Sequence, residues 1–407
     1  MRIAVVGGGA AGLMAAIFAA EAGAEVQLLE RTNDGGRKIL ISGGGRCNIL
    51  PAQVDETRFV TDSSPHTLRN MLRSWPLGEQ ISFFQRELKI TLVEETETRK
   101  LFPSSNRARD VRDGLLAALR KRGGDFVSNA RVVDLVPHDG RWRVVCEGRE
   151  PFEADRVILA SGGLSVPQTG SDGIGLRIAR ELGHTIHPTY AALTPITASP
   201  APFGDLSGIS FEVQLAAESA SRRSHAHGGF LFTHRGYSGP SVLDVSHVLV
   251  RARMDGEPAR LQVQWSSLDV AAWERALVPS GNRSVLGTVR RELPDRLATA
   301  LIERAKIEPE RTLAQLRREE RQRLITELAR CELPWSADEG YKKAEVTGGG
   351  VSLAEVDPRT MESRRCPGLY FCGEILDAFG PIGGYNFLWA WATGRAAGQG
   401  AALVLSP

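Results

Sequence analysis

Cysteine is scarce in this chain of 407 residues. Only five are present, at positions 47, 146, 331, 366 and 372, and no two of them form a C-x-x-C pair. Five scattered cysteines are too few for a disulfide framework, and without a C-x-x-C pair a structural zinc site is not expected. Unpaired thiols fit a reducing compartment, so we predict a cytoplasmic protein without a metal site.

Long apolar runs and an excess of one charge are also missing. No apolar run reaches transmembrane length, and Gly7-Gly8-Gly9 interrupts the apolar N-terminus, which argues against a secretory signal. Lysine and arginine number 50 against 48 aspartates and glutamates, giving a net charge of +2. Because nucleic-acid binding favours a strongly basic face, we predict a small-molecule substrate and neither a nucleic acid nor a membrane as partner. The oligomeric state stays open.

Glycine, in contrast, is abundant, with 43 residues where an average composition would give about 28. Gly7, Gly9 and Gly12 form G-x-G-x-x-G between the apolar run Arg2–Val6 and an alanine-rich helical segment. This spacing permits a tight turn, close approach of backbone to a pyrophosphate, and close packing of helix on strand. A second apolar run ends at Glu30. The segment therefore predicts a βαβ unit whose helix N-terminus binds a diphosphate and whose terminal acid binds a ribose.

Two more glycine-rich regions lie at opposite ends of the chain. One covers residues 35–48, and the other returns after Tyr341, at residues 348–350 and 373–384. This return implies a single nucleotide domain interrupted by an insertion, and a cofactor held from both ends of the chain suggests FAD rather than NAD. We therefore predict an α/β fold of the two-dinucleotide-binding flavoprotein type. Its parts are a Rossmann-like FAD-binding domain (1–189 and 341–407), a β-rich substrate domain (190–267) and a helical subdomain (268–340).

Several longer motifs resemble one known family, the aminoacetone-oxidase or BaiN-type (YhiN-like) FAD-dependent flavoproteins. The segments that carry the resemblance are Gly36–Asn48, Ala160–Gly163, Phe232–His234, Gly236–Pro240, Thr360–Ser363, Gly373–Asp377 and Gly383–Asn386. The resemblance spans nearly the whole chain. Two stretches depart from the family pattern, Ile49–Pro51 and Ala378–Phe379, and the second bears on substrate specificity more than on FAD binding.

The resemblance implies FAD contacts residue by residue. The diphosphate would meet Gly7, Gly9, Ala10, Ala11 and Gly12, and the adenosine end would meet Glu30, Arg31 and the backbone of Val132 or Val133. The ribityl chain and ring system would follow Lys38, Ser42, Gly43, Gly45, Arg46, Cys47 and Asn48, with Glu374 or Asp377 on the ribityl hydroxyls. Gly384, Asn386 and Phe387 would lie near the pyrimidine end of the flavin, and Ala160, Ser161, Gly162 and Gly373 complete the contacts.

The C-terminal position can also be argued from chemistry. A reduced flavin carries negative charge at N1 and O2, and a helix N-terminus opened by Gly383–Asn386 would stabilise that charge. A plain glycine turn or cap is the alternative. Trp389 and Trp391 are two residues apart on the same predicted helix, point to different faces, and are interpreted as packing residues.

Four isolated features have two interpretations each. Cys47 could be a redox group, but without a partner cysteine nearby it is interpreted as a small packing residue beside the flavin. His234 is the best acid–base candidate, and a structural histidine is equally compatible. His225 and His227 have metal-like spacing, but without neighbouring carboxylates or cysteines we expect a loop. Gly170–Gly175 lacks a surrounding βαβ unit, so we predict no dedicated NAD(P)H-binding domain.

We predict a FAD-dependent oxidoreductase that transfers a hydride between a small-molecule substrate and flavin N5. Oxidation of an amine-like substrate and reduction of an enone-like substrate both stay open, and NAD(P)H could act as a transient electron donor. Two alternatives belong to other classes: a flavoprotein that acts on tRNA, and a flavin-binding regulator without turnover.

Overall fold

The computed structural model describes residues 1–403 and has a mixed α/β architecture. Its strands are β1 (Arg2–Val6), β2 (Glu25–Leu29), β3 (Leu50–Pro51), β4 (Leu92–Glu95), β5 (Lys100–Pro103), β6 (Asp125–Val127), β7 (Val132–His138), β8 (Arg141–Cys146), β9 (Phe152–Ala154), β10 (Arg156–Leu159), β11 (Ile186–Ala192), β12 (Ile196–Thr197), β13 (Ser210–Ser219), β14 (Arg223–Thr233), β15 (Gly236–Ser238), β16 (Ala259–Gln264), β17 (Cys331–Glu332), β18 (Ala337–Asp338), β19 (Val346–Val351) and β20 (Leu369–Phe371). Its helices are α1 (Ala10–Glu21), α2 (Arg37–Ile41), α3 (Pro65–Arg73), α4 (Leu77–Ser82), α5 (Ala108–Lys121), α6 (Ile174–Glu181), α7 (Pro240–Asp255), α8 (Val270–Ala276), α9 (Val285–Val289), α10 (Asp295–Arg304), α11 (Arg318–Ala329) and α12 (Tyr385–Ala402).

The chain divides into two compact units. The first, which we call the Rossmann unit, contains Met1–Tyr190 and the chain from Glu345 onward. The second, the insertion unit, is Ala191–Ala344. The predicted border at residue 267 inside the insertion stays a prediction.

The Rossmann unit is built on a five-stranded sheet with the order β20-β10-β1-β2-β6. All neighbouring strands pair in parallel, with Ile3 opposite Arg156 on one side and Val26 on the other. The carboxyl ends of parallel strands lie along one edge, so the loops that follow β1, β2, β10 and β20 converge there. In open α/β sheets this edge is where ligands bind.

Helices α1 and α12 pack against each other through glycine. Ten of the 12 residues of α1 are buried, which explains why this helix is apolar on all sides rather than amphipathic. A Cβ on Gly394 would lie 2.5 Å from the carbonyl oxygen of Ala11, and one on Gly398 would lie 2.3 Å from that of Ala15. The contact advances in the same direction along both helices, so α1 and α12 run parallel.

The insertion unit has a seven-stranded sheet with the order β17-β16-β13-β14-β15-β12-β18, paired antiparallel. The sheet and the helices α7–α11 share one hydrophobic core, which includes Phe230, Phe232, Trp265 and Trp273. Helix α8 supplies Trp273, and β14 supplies the two phenylalanines. Sheet and helices therefore stabilise one another.

The expectation of a loop at His225 and His227 was wrong. Both residues lie in β14, where His225 pairs with Ala216 and His227 with Gln214 of β13. The two histidines lie on the exposed face of β14, and the residues that alternate with them are less exposed, as expected for a strand with one side in water. The absence of other ligands nearby says nothing about backbone conformation, which explains the error.

Over the described residues 1–403, no helix combines the length and the apolar character needed to cross a bilayer.

Candidate cofactor site

Packing around the first glycine turn requires glycine at two of its three motif positions. Gly7 has φ +106° and donates its N–H to Leu29 O at 2.8 Å, and a Cβ there would lie 2.5 Å from Ala160 O. A Cβ on Gly12 would lie 1.8 Å from Gly7 O. A Cβ on Gly9, in contrast, would meet no protein atom within 4 Å. The packing therefore demands glycine at positions 7 and 12, while glycine at 9 fits a bound group that the backbone approaches.

Helix α1 presents free N–H groups at this turn. The first intrahelical bond runs from Leu13 N to Gly9 O at 2.9 Å, so the N–H groups of Ala10, Ala11 and Gly12 point out of the helix end. Across residues 1–403, no side chain caps this end and its first turn contains no acidic residue. The positive end of the helix dipole is thus available to an anion, which fits the diphosphate of FAD.

Glu30 fastens the glycine turn to the end of β2. Its Oε2 accepts from Gly8 N at 2.7 Å, and its Oε1 accepts from Thr32 N at 2.8 Å and Thr32 Oγ1 at 2.7 Å. The residue is only 7% exposed. A carboxylate oxygen can accept two hydrogen bonds, so Oε2 keeps one acceptor position for a ribose hydroxyl.

The neighbouring segments place the predicted adenosine contacts around Glu30. Glu30 O accepts from Ala130 N at 2.8 Å, which brings the start of β7 with Val132 and Val133 to this end of the sheet. The carbonyl of Val133 already accepts from Arg177. Arg31 pairs with Asp172 at 2.5 Å and donates to Gly170 O at 3.2 Å, so it holds the 170–172 loop.

A partly buried charge cluster joins residues from four separate parts of the sequence. Lys38 Nζ lies 2.6 Å from Glu374 Oε2 and 2.6 Å from Ser165 Oγ. Ser165 Oγ donates to Glu374 Oε1 at 2.6 Å, and Thr347 N donates to the same oxygen at 3.0 Å. The sequence indicated Lys38 and Glu374 but missed Ser165 and Thr347. Their only sequence signal is position, since each adjoins a glycine-rich stretch.

The segment after α2 turns through three successive left-handed glycines, Gly43 to Gly45. Ser42 O accepts from Cys47 N at 3.0 Å, which closes the turn. Asn48 lies against Gly43, since a Cβ there would be 3.1 Å from Asn48 N. The turn therefore presents backbone rather than side chains on the predicted flavin path.

The surroundings of Cys47 and Arg46 do not support a redox role for this segment. Cys47 is fully buried, and burial raises the pKa of its thiol to about 12, so it is protonated at neutral pH. This supports the interpretation as a packing residue. Arg46 pairs with Glu95 at 2.9 Å and lies over the Phe102 ring at 4.1 Å.

Asp377 holds a loop together. Its Oδ2 accepts from Asp62 N at 2.9 Å, Ser63 N at 2.8 Å and Ser63 Oγ at 2.8 Å, and the residue is 2% exposed. Ser63 Oγ also lies 3.3 Å from His187 Nε2. Of the two acids considered for the ribityl hydroxyls, Glu374 is the one that shares the cluster with Lys38.

Helix α12 begins at the C-terminal glycine motif. Its N-cap is Gly384, with φ +94°, and the Asn386 side chain clamps the preceding loop by bonding both Gly380 N and Gly380 O at 2.9 Å. Within residues 1–403, no side chain caps this helix and its first turn has no acid, as in α1. Phe387 stacks on Trp391 with ring centroids 5.3 Å apart.

The tryptophans and Gly373 connect this end of α12 to the first glycine turn. Trp389 Nε1 donates to Gly373 O at 3.1 Å, and Trp391 Nε1 donates to Ile49 O at 3.1 Å. A Cβ on Gly373 would lie 2.6 Å from that of Ala11. Gly394 packs against Ala11 and lies nine residues into α12, whereas Ala11 lies one residue into α1. Along their shared direction the start of α12 therefore precedes the start of α1 by eight residues, or about 12 Å at 1.5 Å per residue. Two uncapped helix ends thus face the same way with an offset that suits one long cofactor.

His234 lies elsewhere, in the insertion unit. It lines an open pocket of about 450 Å³ together with Phe232, Thr233, Arg235, Glu339 and Lys343. Its role as acid or base stays a prediction. Among residues 1–403, no three His, Cys, Asp or Glu side chains come together as metal ligands.

Comparison with known proteins identifies the family. The sequence pattern of the HI0933-like protein Rossmann domain matches residues 1–400. The chain is 32% identical to the 3-dehydro-bile acid delta(4,6)-reductase of Clostridium scindens, over 98% of this chain and 99% of that protein. It is also 32% identical to the ribosomal RNA dihydrouridine synthase of Escherichia coli, over 97% of this chain and 96% of that protein.

A solved structure matches the fold at lower identity. The 3-ketosteroid delta1-dehydrogenase of Sterolibacterium denitrificans, in complex with 1,4-androstadiene-3,17-dione, has a TM-score of 0.51 and 12% identity, with 98% of this chain and 99% of that chain covered. Together with the parallel sheet, these similarities confirm the predicted Rossmann-like α/β class and the resemblance that the sequence motifs indicated.

Proposed function

The chain belongs to the HI0933-like protein family, and we propose that this FAD-dependent oxidoreductase reduces a carbon–carbon double bond conjugated to a carbonyl group. The supporting observation is the chemistry common to two relatives of equal identity. The delta(4,6) double bonds of a 3-dehydro steroid are conjugated to its C3 carbonyl, and the bond that a dihydrouridine synthase saturates in uracil is conjugated to the C4 carbonyl. One reaction type, addition of a hydride and a proton to an unsaturated carbonyl, therefore covers both.

The residues present fit the cofactor. When bound, FAD supplies the hydride through N5 of its ring system. The N–H groups of Ala10, Ala11 and Gly12 would hold the diphosphate, Glu30 a ribose hydroxyl, and Lys38 with Glu374 the ribityl chain. These roles are proposals supported by the uncapped α1 terminus and by the free space at Gly9.

The N-terminus of α12 would stabilise the reduced form of the flavin. Its free N–H groups, at Tyr385, Asn386 and Phe387, would stabilise negative charge at the pyrimidine end of the reduced ring. The Asn386 clamp on Gly380 keeps this terminus in place without occupying those donors. The same helix end would favour reduction of the flavin by NAD(P)H, which we propose as the electron donor.

We propose a small unsaturated carbonyl compound as the substrate. The balanced charge of the chain and the similarity to the bile-acid reductase over nearly its full length support this choice. Uracil within RNA is the second candidate, favoured by the equal identity to the E. coli enzyme. The absence of a nucleic-acid partner accordingly stays a prediction.

The five cysteines are all free thiols, which supports a cytoplasmic location.

A half-reaction experiment tests the reaction type. The purified yellow holoprotein is bleached anaerobically with NADPH or NADH, and then mixed with 2-cyclohexenone, a 3-oxo-Δ4 steroid, a uridine-containing RNA or a panel of amines. We expect unsaturated carbonyls to restore the oxidised flavin spectrum under anaerobic conditions and to be recovered as saturated products. Bleaching of the oxidised protein by amines, with no reoxidation by any enone or RNA, would reverse the proposed direction.

A further inference from the structure

The pocket on the insertion unit is distinct in composition from the cofactor site. Its lining includes the half-buried Leu231, the side chains of His234, Arg235 and Lys343, and one acid, Glu339. Its volume of about 450 Å³ lies within the usual range for small-molecule sites, and it exceeds that of a simple anion. Part of a larger molecule would therefore fill it.

The pocket walls are fixed by backbone contacts. On one side, Gly208 N donates to Phe232 O at 2.9 Å, and Phe232 N donates to Ile209 O at 3.1 Å. On the other, Glu339 N donates to Pro195 O at 3.1 Å, and Lys343 N donates to Gly340 O at 3.0 Å. The pocket is thus preformed rather than created by a chance arrangement of side chains.

Charge in the pocket is unbalanced toward the positive sign. Arg235 Nη1 lies 3.8 Å from Glu339 Oε1, so one cation is partly compensated. In the described part of the chain, the Lys343 ammonium and the His234 ring form no side-chain hydrogen bond or ion pair. Cations beside the apolar side chain of Leu231 suit an oxyanion attached to a ring or another apolar body.

We propose that this pocket is a recognition site for an oxyanion of the substrate, with Lys343 and Arg235 as its cations and Leu231 beside the apolar part. The inference rests on the proposed function, since it assigns to the substrate an anionic group besides its unsaturated carbonyl. That group is a phosphate where the substrate is a nucleotide within RNA, and a carboxylate where it is a small organic acid. Both are planar or tetrahedral oxyanions that Arg and Lys bind.

Charge reversal at adjacent lysines provides a matched test. Lys343→Glu changes the pocket, and Lys342→Glu makes the same change at the neighbouring exposed residue, which does not line it. Binding to the holoprotein is measured with inorganic phosphate, a short oligouridylate and a steroid carboxylate, by calorimetry or fluorescence anisotropy. We expect Lys343→Glu and Arg235→Glu to weaken binding of at least one probe by about tenfold, equal to about 1.4 kcal/mol, and Lys342→Glu to leave it within about twofold of the unchanged protein.

The three probes separate the sources of the anion. Selective loss of oligouridylate binding, with a shallower salt dependence by about 0.7 in the log–log slope, indicates a phosphate of RNA. Selective loss of the carboxylate indicates a small acid. Equal effects of Lys343→Glu and Lys342→Glu, or no binding of any probe, would overturn the site. An unchanged far-ultraviolet circular dichroism spectrum and an unchanged denaturant midpoint in each variant show that the insertion unit is still folded.

Failure of the site and failure of the proposed reaction remain distinguishable because binding is measured without turnover. If enones and RNA fail to reoxidise the flavin while Lys343→Glu still weakens anion binding, the reaction type is wrong and the site stands. If reoxidation occurs and the two lysine variants bind alike, the site alone is wrong.

Discussion

Gly394 in α12 lies directly against the carbonyl oxygen of Ala11 in α1, so close that a Cβ at 394 would be 2.5 Å from that oxygen. This contact sets how far the two parallel helices are displaced along their common direction. It therefore fixes the separation between the two uncapped helix ends that we propose to bind the diphosphate and the pyrimidine end of the flavin.

Gly394→Ala should for this reason damage both stability and cofactor binding. The added methyl group would force the helices apart, and we expect a loss of about 2–3 kcal/mol in the free energy of unfolding, typical of overpacking. FAD should be released more readily, measured as free-flavin fluorescence on dilution. Gly78→Ala is the control, because a Cβ in α4 at that position would meet no atom within 4 Å. There we expect unchanged or slightly higher stability.

Glu30→Ala should weaken FAD retention by about tenfold or more. The substitution removes the proposed ribose acceptor and also leaves the N–H groups of Gly8 and Thr32 without their partner, at a cost of about 1–3 kcal/mol. Equilibrium titration of the apoprotein with FAD measures the loss. Glu25→Ala, at the start of the strand that ends just before Glu30 and in an exposed pair with Arg2, should leave the affinity unchanged. Full FAD occupancy in Glu30→Ala would contradict the assigned role.

Lys38 and Glu374 should be energetically coupled. Their atoms are 2.6 Å apart and both side chains are mostly buried, so each single change, Lys38→Met or Glu374→Gln, leaves a charge or a donor without its partner. A double-mutant cycle on unfolding and on FAD affinity should give a coupling energy of about 1–3 kcal/mol. The more exposed pair Arg143–Glu153 should give a smaller coupling energy. Additive effects at Lys38 and Glu374 would mean that the ion pair contributes neither to stability nor to FAD binding.

The sequence could predict what depends on local spacing. The turn at Gly7–Gly12, the strand on either side of α1 and the start of α12 after Gly384 all follow from residue types that are neighbours along the chain. Ser165 and Thr347 could not be found this way, because folding brings Ser165 to Lys38 from 127 residues away and to Thr347 from 182 residues away. The loop-holding role of Asp377 was hidden for the same reason, since its partners lie more than 300 residues earlier.

Cys47 should make the protein less stable as the pH rises above about 9. Burial raises the pKa of this thiol from about 9 to about 12, so between those values the unfolded chain loses a proton that the folded chain keeps. The unfolded state then binds fewer protons, and the free energy of unfolding falls by up to about 1.4 kcal/mol per pH unit for this group. Denaturant unfolding at a series of pH values should show a shallower decline for Cys47→Ala than for the unchanged chain. Native Cys47 should also resist iodoacetamide until the protein unfolds, and rapid native labelling at pH 8 would instead indicate an accessible, reactive thiol beside the cofactor.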